Sequence, residues 1–209
     1  MTRIEAPSAA ERYQVLADVE AMRRCVGLDA VEVRLEPTYS QCASVRASRG
    51  SEGTRMTMSW RLAKAPVSVR RKVIAHEFGH VLNGDTHMKA MSDLRAGVGA
   101  GALLGVAVIA VVEELSVGGM RHGLLGAGGP MVTLLMLGVL AWYHRPLRRR
   151  ELAADRTSWD HFGCGYDREV ATWMRRNWYV DLGPLQVVGT HPSSRRRLRA
   201  VREAGYPNR

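Results

Sequence analysis

The sequence predicts an α+β chain, mostly α, with a small sheet and an inserted two-helix hairpin long enough to cross a membrane. Three observations predict it. Residues 30–62 hold short alternating runs separated by turn residues, the mark of strands. The flanking stretches carry apolar residues at helical spacing. Two stretches without charge, 96–112 and 123–143, each approach the roughly 20 residues that a spanning helix needs. The chain therefore divides into residues 1–94, the hairpin at 95–144, and residues 145–209, the two outer parts forming one domain.

In residues 9–26, Tyr13, Leu16, Val19, Met22 and Val26 recur at helical spacing, which predicts an amphipathic helix with a packing face. Val31 to Leu35 alternates and ends at Pro37, and residues 42–47 are a second short strand. Residues 48–53 read as a turn. Residues 54–62 alternate again, with Met56, Met58 and Trp60 set against Thr57, Ser59 and Arg61.

The next helix carries His76-Glu77-Phe78-Gly79-His80, an H-E-x-x-H motif. Pro66 and Ser68 read as its start and Gly84 as its C-cap. Val73, Ile74, Phe78, Val81 and Leu82 supply an apolar surface. Positions i and i+4 share a face, so His76 and His80 can offer both imidazoles to one metal ion. Glu77 stands between them, placed to take a proton from a water. The bland reading is two surface histidines on an ordinary helix. A matching third donor argues against it.

That donor lies in Glu151-Leu152-Ala153-Ala154-Asp155. Glu151 and Asp155 also share a helical face. The natural division gives Glu151 to the metal and Asp155 to the far nitrogen of a ligand histidine. Most such pairs elsewhere lie on solvated charged helices, and it is the upstream motif that singles this one out. Cys164, His161 and His191 are the alternative donors.

These motifs come in a telling order. H-E-F-G-H and Asn83-Gly84-Asp85 are followed by the apolar hairpin, by Glu151 to Asp155, and by Gly189-Thr190-His191-Pro192 with Arg197-Leu198. In this order the chain resembles the HtpX-like membrane metalloproteases, relatives of the CAAX prenyl endopeptidase, over about residues 31–204. The resemblance implies a gluzincin-type zinc peptidase domain, with zinc on His76, His80 and Glu151, Glu77 as general base, and Asp155 behind the ligands. It implies that His191 and Arg197 lie near the substrate or the oxyanion, with Arg195 and Arg196 as adjacent alternatives to Arg197. It also implies that an edge strand at 54–62 pairs with the extended substrate. HtpX-like chains usually carry membrane helices ahead of the zinc helix, whereas residues 1–75 hold no apolar run long enough to span.

Charge sets the expected topology. Lys89 and Arg95 precede the first span, and Arg145, Arg148, Arg149 and Arg150 follow the second. The loop between has Arg121 against Glu113 and Glu114. By the positive-inside rule both termini face the cytoplasm, with His76, His80 and Glu151 on one side of the membrane. Gly97, Gly101 and Gly105 form a repeated G-x-x-x-G, suited to packing within the hairpin or between subunits of a homo-oligomer.

Beyond the hairpin, residues 151–162 form the third-donor helix, broken at Gly163-Cys164-Gly165. Residues 167–178 are a helix rich in tryptophan and arginine, Gly183 and Pro184 make a turn, and residues 193–204 are a basic terminal helix capped by Ser193 or Ser194. In 209 residues the net charge is +10, which suits anionic lipid, nucleic acid or acidic partners. The arginines fit a solvated or lipid-facing surface, and no specific nucleic acid is expected. Cys25, Cys42 and Cys164 are isolated, odd in number and expected to be reduced thiols. Residues 1–10 lack the pattern of a signal peptide.

The sequence thus points to a membrane-anchored zinc metalloendopeptidase acting on polypeptide substrates and touching membrane lipid. The rivals are a basic nucleic-acid or anionic-lipid binding protein with an inactive H-E-x-x-H helix, and a soluble regulatory peptidase.

Overall fold

The computed structural model describes residues 5–37, 43–47, 53–85, 138, 141–142, 144–177 and 191–207; at 43–47 the description is of the backbone. In order, the elements are α1 (Ala9–Cys25), β1 (Val31–Glu36), β2 (Ala43–Ala47), β3 (Thr54–Ser59), α2 (Trp60–Ala63), α3 (Val67–Leu82), α4 (Arg145–Phe162), α5 (Arg168–Asn177) and α6 (Ser194–Glu203). Helix dominates, and the strands form one small sheet.

The predicted spans at 96–112 and 123–143 lie outside the described residues, apart from Gly138, Ala141 and Trp142. Gly97, Gly101 and Gly105 lie outside them too. Among the described residues no helix is long and apolar enough to cross a membrane.

The sheet order is β1-β3-β2. β1 runs parallel to β3 with Val31 opposite Thr54 and Leu35 opposite Met58. β2 runs antiparallel to β3 with Val45 opposite Met56. This corrects the expectation for residues 54–62 in two ways. β3 is the central strand, so it offers no free edge to a substrate. It also ends at Ser59, whose hydroxyl accepts a hydrogen bond from the Leu62 backbone and starts α2. Among the described residues, the strand at the edge beside α3 is β2.

α3 is the hub, packing against α1, α4, α5 and β2. Its Val69, Val73, Ile74 and Phe78 join Met56, Met58 and Leu62 in a buried core, with Val15 and Val19 from α1 and Val170 from α5. The face that α1 buries is the expected one at Val19 and Met22 only. Val15, Asp18, Val19 and Met22 point inward, while Tyr13 and Leu16 are exposed. A charge sits in that inward face because α3 neutralises it. Arg70 Nε and Arg71 Nε reach Asp18 at 2.8 Å and 2.7 Å. A buried carboxylate is tolerated only with such partners. The helix opens on a capping box between Ser8 and Glu11.

α3 and α4 run antiparallel, so that His76 meets Asp155 and, further along, Asp85 meets Arg150. α4 begins at Arg145, ahead of the expected start near Glu151, with a proline in its first turn. It ends on Gly163, whose φ of 62° is the left-handed cap that glycine adopts without a Cβ penalty.

Candidate metal centre

The local fold explains why the donors converge. His76 and His80 are one turn apart on α3, and their rings meet edge to face with centroids 4.8 Å apart. Glu151 arrives from α4, because Gly79 lets the α4 backbone come close at Ala154. One ligand atom from each of His76, His80 and Glu151 lies within 4.8 Å of the others. His76 Nε2 is 3.3 Å from Glu151 Oε2, and His80 Nε2 is 3.4 Å from Glu151 Oε1. Two imidazole nitrogens and a carboxylate that converge on one point are a donor set able to hold a divalent metal.

The electrostatics suit a bound cation. Burial opposes charge on His80, yet Asp85 and Glu151 raise its pKa to about 10. Burial and Arg197 oppose charge on His76, and Asp155 and Glu151 still raise it. Burial works against ionisation of Glu151, but the field of His191 and the two imidazoles hold its carboxyl well below the usual range. Glu151 Oε2 is buried, 3.0 Å from His191 Nδ1 and 3.3 Å from His76 Nε2. The cluster thus gathers protons where a metal ion would supply positive charge.

Asp155 packs against His76 from α4. Its Oδ1 lies 2.9 Å from His76 Nδ1, on the side away from the converging Nε2 atoms. Burial raises the Asp155 carboxyl, and Arg197 followed by His76 outweighs it, so its pKa is lowered.

Arg197 is the inward arginine of its helix, while Arg195 and Arg196 are exposed. Its contacts run to Asp155, Tyr166 and His76. Nε and Nη2 grip Asp155 at 2.7 Å and 2.5 Å. The guanidinium lies 3.7 Å over the Tyr166 ring, and Nη2 is 3.2 Å from His76 Nδ1. Buried and doubly engaged there, it lies on the Nδ1 side of His76, away from the Nε2 that meets Glu151.

His191 stays beside Glu151. Its side chain is 45% exposed, and Nδ1 is 3.0 Å from Glu151 Oε2. Glu77 is half-buried on α3 and contributes to the field on His80. Cys164 and His161 do not join the metal-ligating group among the described residues.

Two participants have no role assigned from the sequence. Asp85 Oδ2 stands 3.1 Å from His80 Nδ1, and Tyr166 carries the Arg197 guanidinium. Asp85 stands in the Asn83-Gly84-Asp85 motif, directly after the Gly84 cap, but the motif names no task for it. Nothing in the sequence marks Tyr166.

Comparisons with known proteins bear on this arrangement. The family described as Peptidase family M48 matches residues 62–205. "Protease HtpX" of Pseudomonas entomophila (strain L48) is 28% identical over 172 residues, covering 78% of this chain and 56% of that protein. The crystal structure of S. mikatae Ste24p superposes with a TM-score of 0.50 at 16% identity, over 96% of this chain and 51% of that one. The latter shows likeness of fold alone, and the chain spans about half the length of both.

Proposed function

From the premise that this chain belongs to peptidase family M48, we propose that it is a zinc metalloendopeptidase held at a membrane by residues 95–144. The observation that carries this reading is the convergence of His76, His80 and Glu151 within 4.8 Å. Zinc held there would supply Lewis acidity, making a water a stronger acid and polarising the scissile carbonyl. Glu77, between the two histidines on the same helix, takes the proton of the attacking water and passes it to the leaving amine. His191, half-exposed beside Glu151, is the group disposed to stabilise the developing oxyanion. Arg197 and Asp155 position His76 from behind.

The substrate is a polypeptide. Its backbone has an edge to pair with at β2, the strand that lies against α3, and such pairing makes little demand on sequence. The membrane anchor rests on the two uncharged stretches and on the arginines that follow them, with both termini cytoplasmic. The relatives support the peptidase class: HtpX is named a protease, and Ste24p shares the fold.

Metal analysis combined with casein hydrolysis tests the reading. Wild type is expected to carry about one zinc per chain and to cleave casein, as a two-histidine, one-glutamate site would. Zinc-free protein that cleaves at the same rate would refute it.

A further inference from the structure

We infer that Asp85 is the positioning residue for His80, the counterpart of Asp155 behind His76. The inference rests on the metal site proposed above and deepens it. His80 meets the ligand cluster through Nε2, 3.4 Å from Glu151 Oε1. An imidazole that donates through Nε2 carries its proton on Nδ1, and the ring is fixed only when that proton has an acceptor. Asp85 Oδ2 is 3.1 Å from Nδ1.

The setting gives this contact its leverage. Asp85 follows Gly84, whose φ of 70° turns the chain back at the end of α3. The second carboxylate oxygen, Oδ1, stands 3.8 Å from Arg150 Nε. Arg150 directly precedes Glu151 on α4. Asp85 therefore links the ligand at the end of one helix to the neighbour of the ligand on the other. At the opposite end of the cluster, Asp155 makes the equivalent link from α4 back to His76, with Arg197 as its guanidinium. Each ligand histidine thus has its own carboxylate and arginine. The Asp85 side chain is 16% exposed and the Asp155 side chain 2%, so Asp85 is the more hydrated of the two.

The experiment measures zinc affinity of the full chain by competition with a chromophoric chelator at one fixed pH. The visible spectrum of the cobalt-loaded protein reports ligand geometry independently of turnover. Asp85→Ala is expected to weaken zinc binding by about 10–100-fold and to shift the cobalt spectrum. Asp85→Asn, whose amide oxygen still accepts the Nδ1 proton, is expected to recover most of both. Asp85→Ser, a second truncation suited to a turn, should match the alanine variant, so one insoluble variant leaves the test intact. Wild-type affinity and spectrum in a truncated variant would overturn the inference. So would an asparagine variant as weak as alanine whose metal-free form also melts early, because that pattern marks a purely structural residue. Wild type that holds no zinc, or His80→Ala that holds it as tightly as wild type, would overturn the metal-site reading itself.

Discussion

A Cβ on Gly79 would stand 2.5 Å from the carbonyl oxygen of Ala154 and 3.0 Å from its Cα. α3 and α4 meet backbone to backbone at this point, within a turn of both His80 and Glu151. Gly79→Ala gains about 1 kcal/mol of helix propensity. The obstacle is main chain, however, and no rotamer relieves it. Overpacking of this kind costs about 1–3 kcal/mol and should push the helices apart. We predict a lower melting temperature and weaker zinc binding in Gly79→Ala. Melting and titration curves identical to wild type would mean that the helices separate freely.

Arg197→Met separates positioning from catalysis. The substitution leaves Asp155 buried without its guanidinium, and breaking a buried pair costs about 3–5 kcal/mol. We predict a large drop in melting temperature together with weakened zinc binding. Arg197→Lys should restore little, since an ammonium cannot reproduce the forked contact. A variant with wild-type stability and zinc affinity but a collapsed kcat would return Arg197 to the oxyanion.

Much of this site is legible in the sequence, because a helix fixes which residues share a face. The spacing of His76 with His80 and of Glu151 with Asp155 suffices to pair the residues found together. What escapes depends on the other elements. The buried face of α1 departs from its apolar spacing because Asp18 reads as a solvated position until Arg70 and Arg71 arrive from α3. Strand order has no local signature, so the central place of β3 and the edge position of β2 cannot be read. The end of β3 is set by one side-chain hydrogen bond at Ser59, which leaves the alternation of residues 54–62 unbroken. The direction taken by Arg197 depends on Tyr166 and Asp155, both distant in sequence.

Proton and metal compete for His80, which gives a pH test. Its pKa in the folded, metal-free chain is raised from 6.5 to about 10. That stabilisation is fully present below about pH 6.5 and is lost as the pH rises through about 10. Zinc on the same nitrogen takes the place of the proton, so the loaded protein escapes this loss. The melting-temperature gap between zinc-loaded and metal-free protein should therefore widen between about pH 6.5 and about pH 10. A constant gap across that range would contradict the assignment of His80 to the metal.

Anchoring is tested by deletion. Replacing residues 96–143 with a short linker should release the protein from membranes, while the intact chain should stay with them through a carbonate wash. An intact chain that washes into the soluble fraction would rule out the spanning hairpin.

The peptidase proposal is tested most directly by Glu77→Gln. Size is kept, and His76, His80 and Glu151 are untouched, so zinc should remain bound at the wild-type level. What disappears is the carboxylate that accepts the water's proton. General-base catalysis is typically worth about 10²–10⁴-fold, and a group that also protonates the leaving amine belongs at the upper end. The measurement is the casein hydrolysis rate of zinc-loaded Glu77→Gln beside zinc-loaded wild type. We predict a folded, metal-loaded variant whose rate has fallen by about 10⁴-fold. Hydrolysis at the wild-type rate would contradict the assignment of Glu77 as the general base.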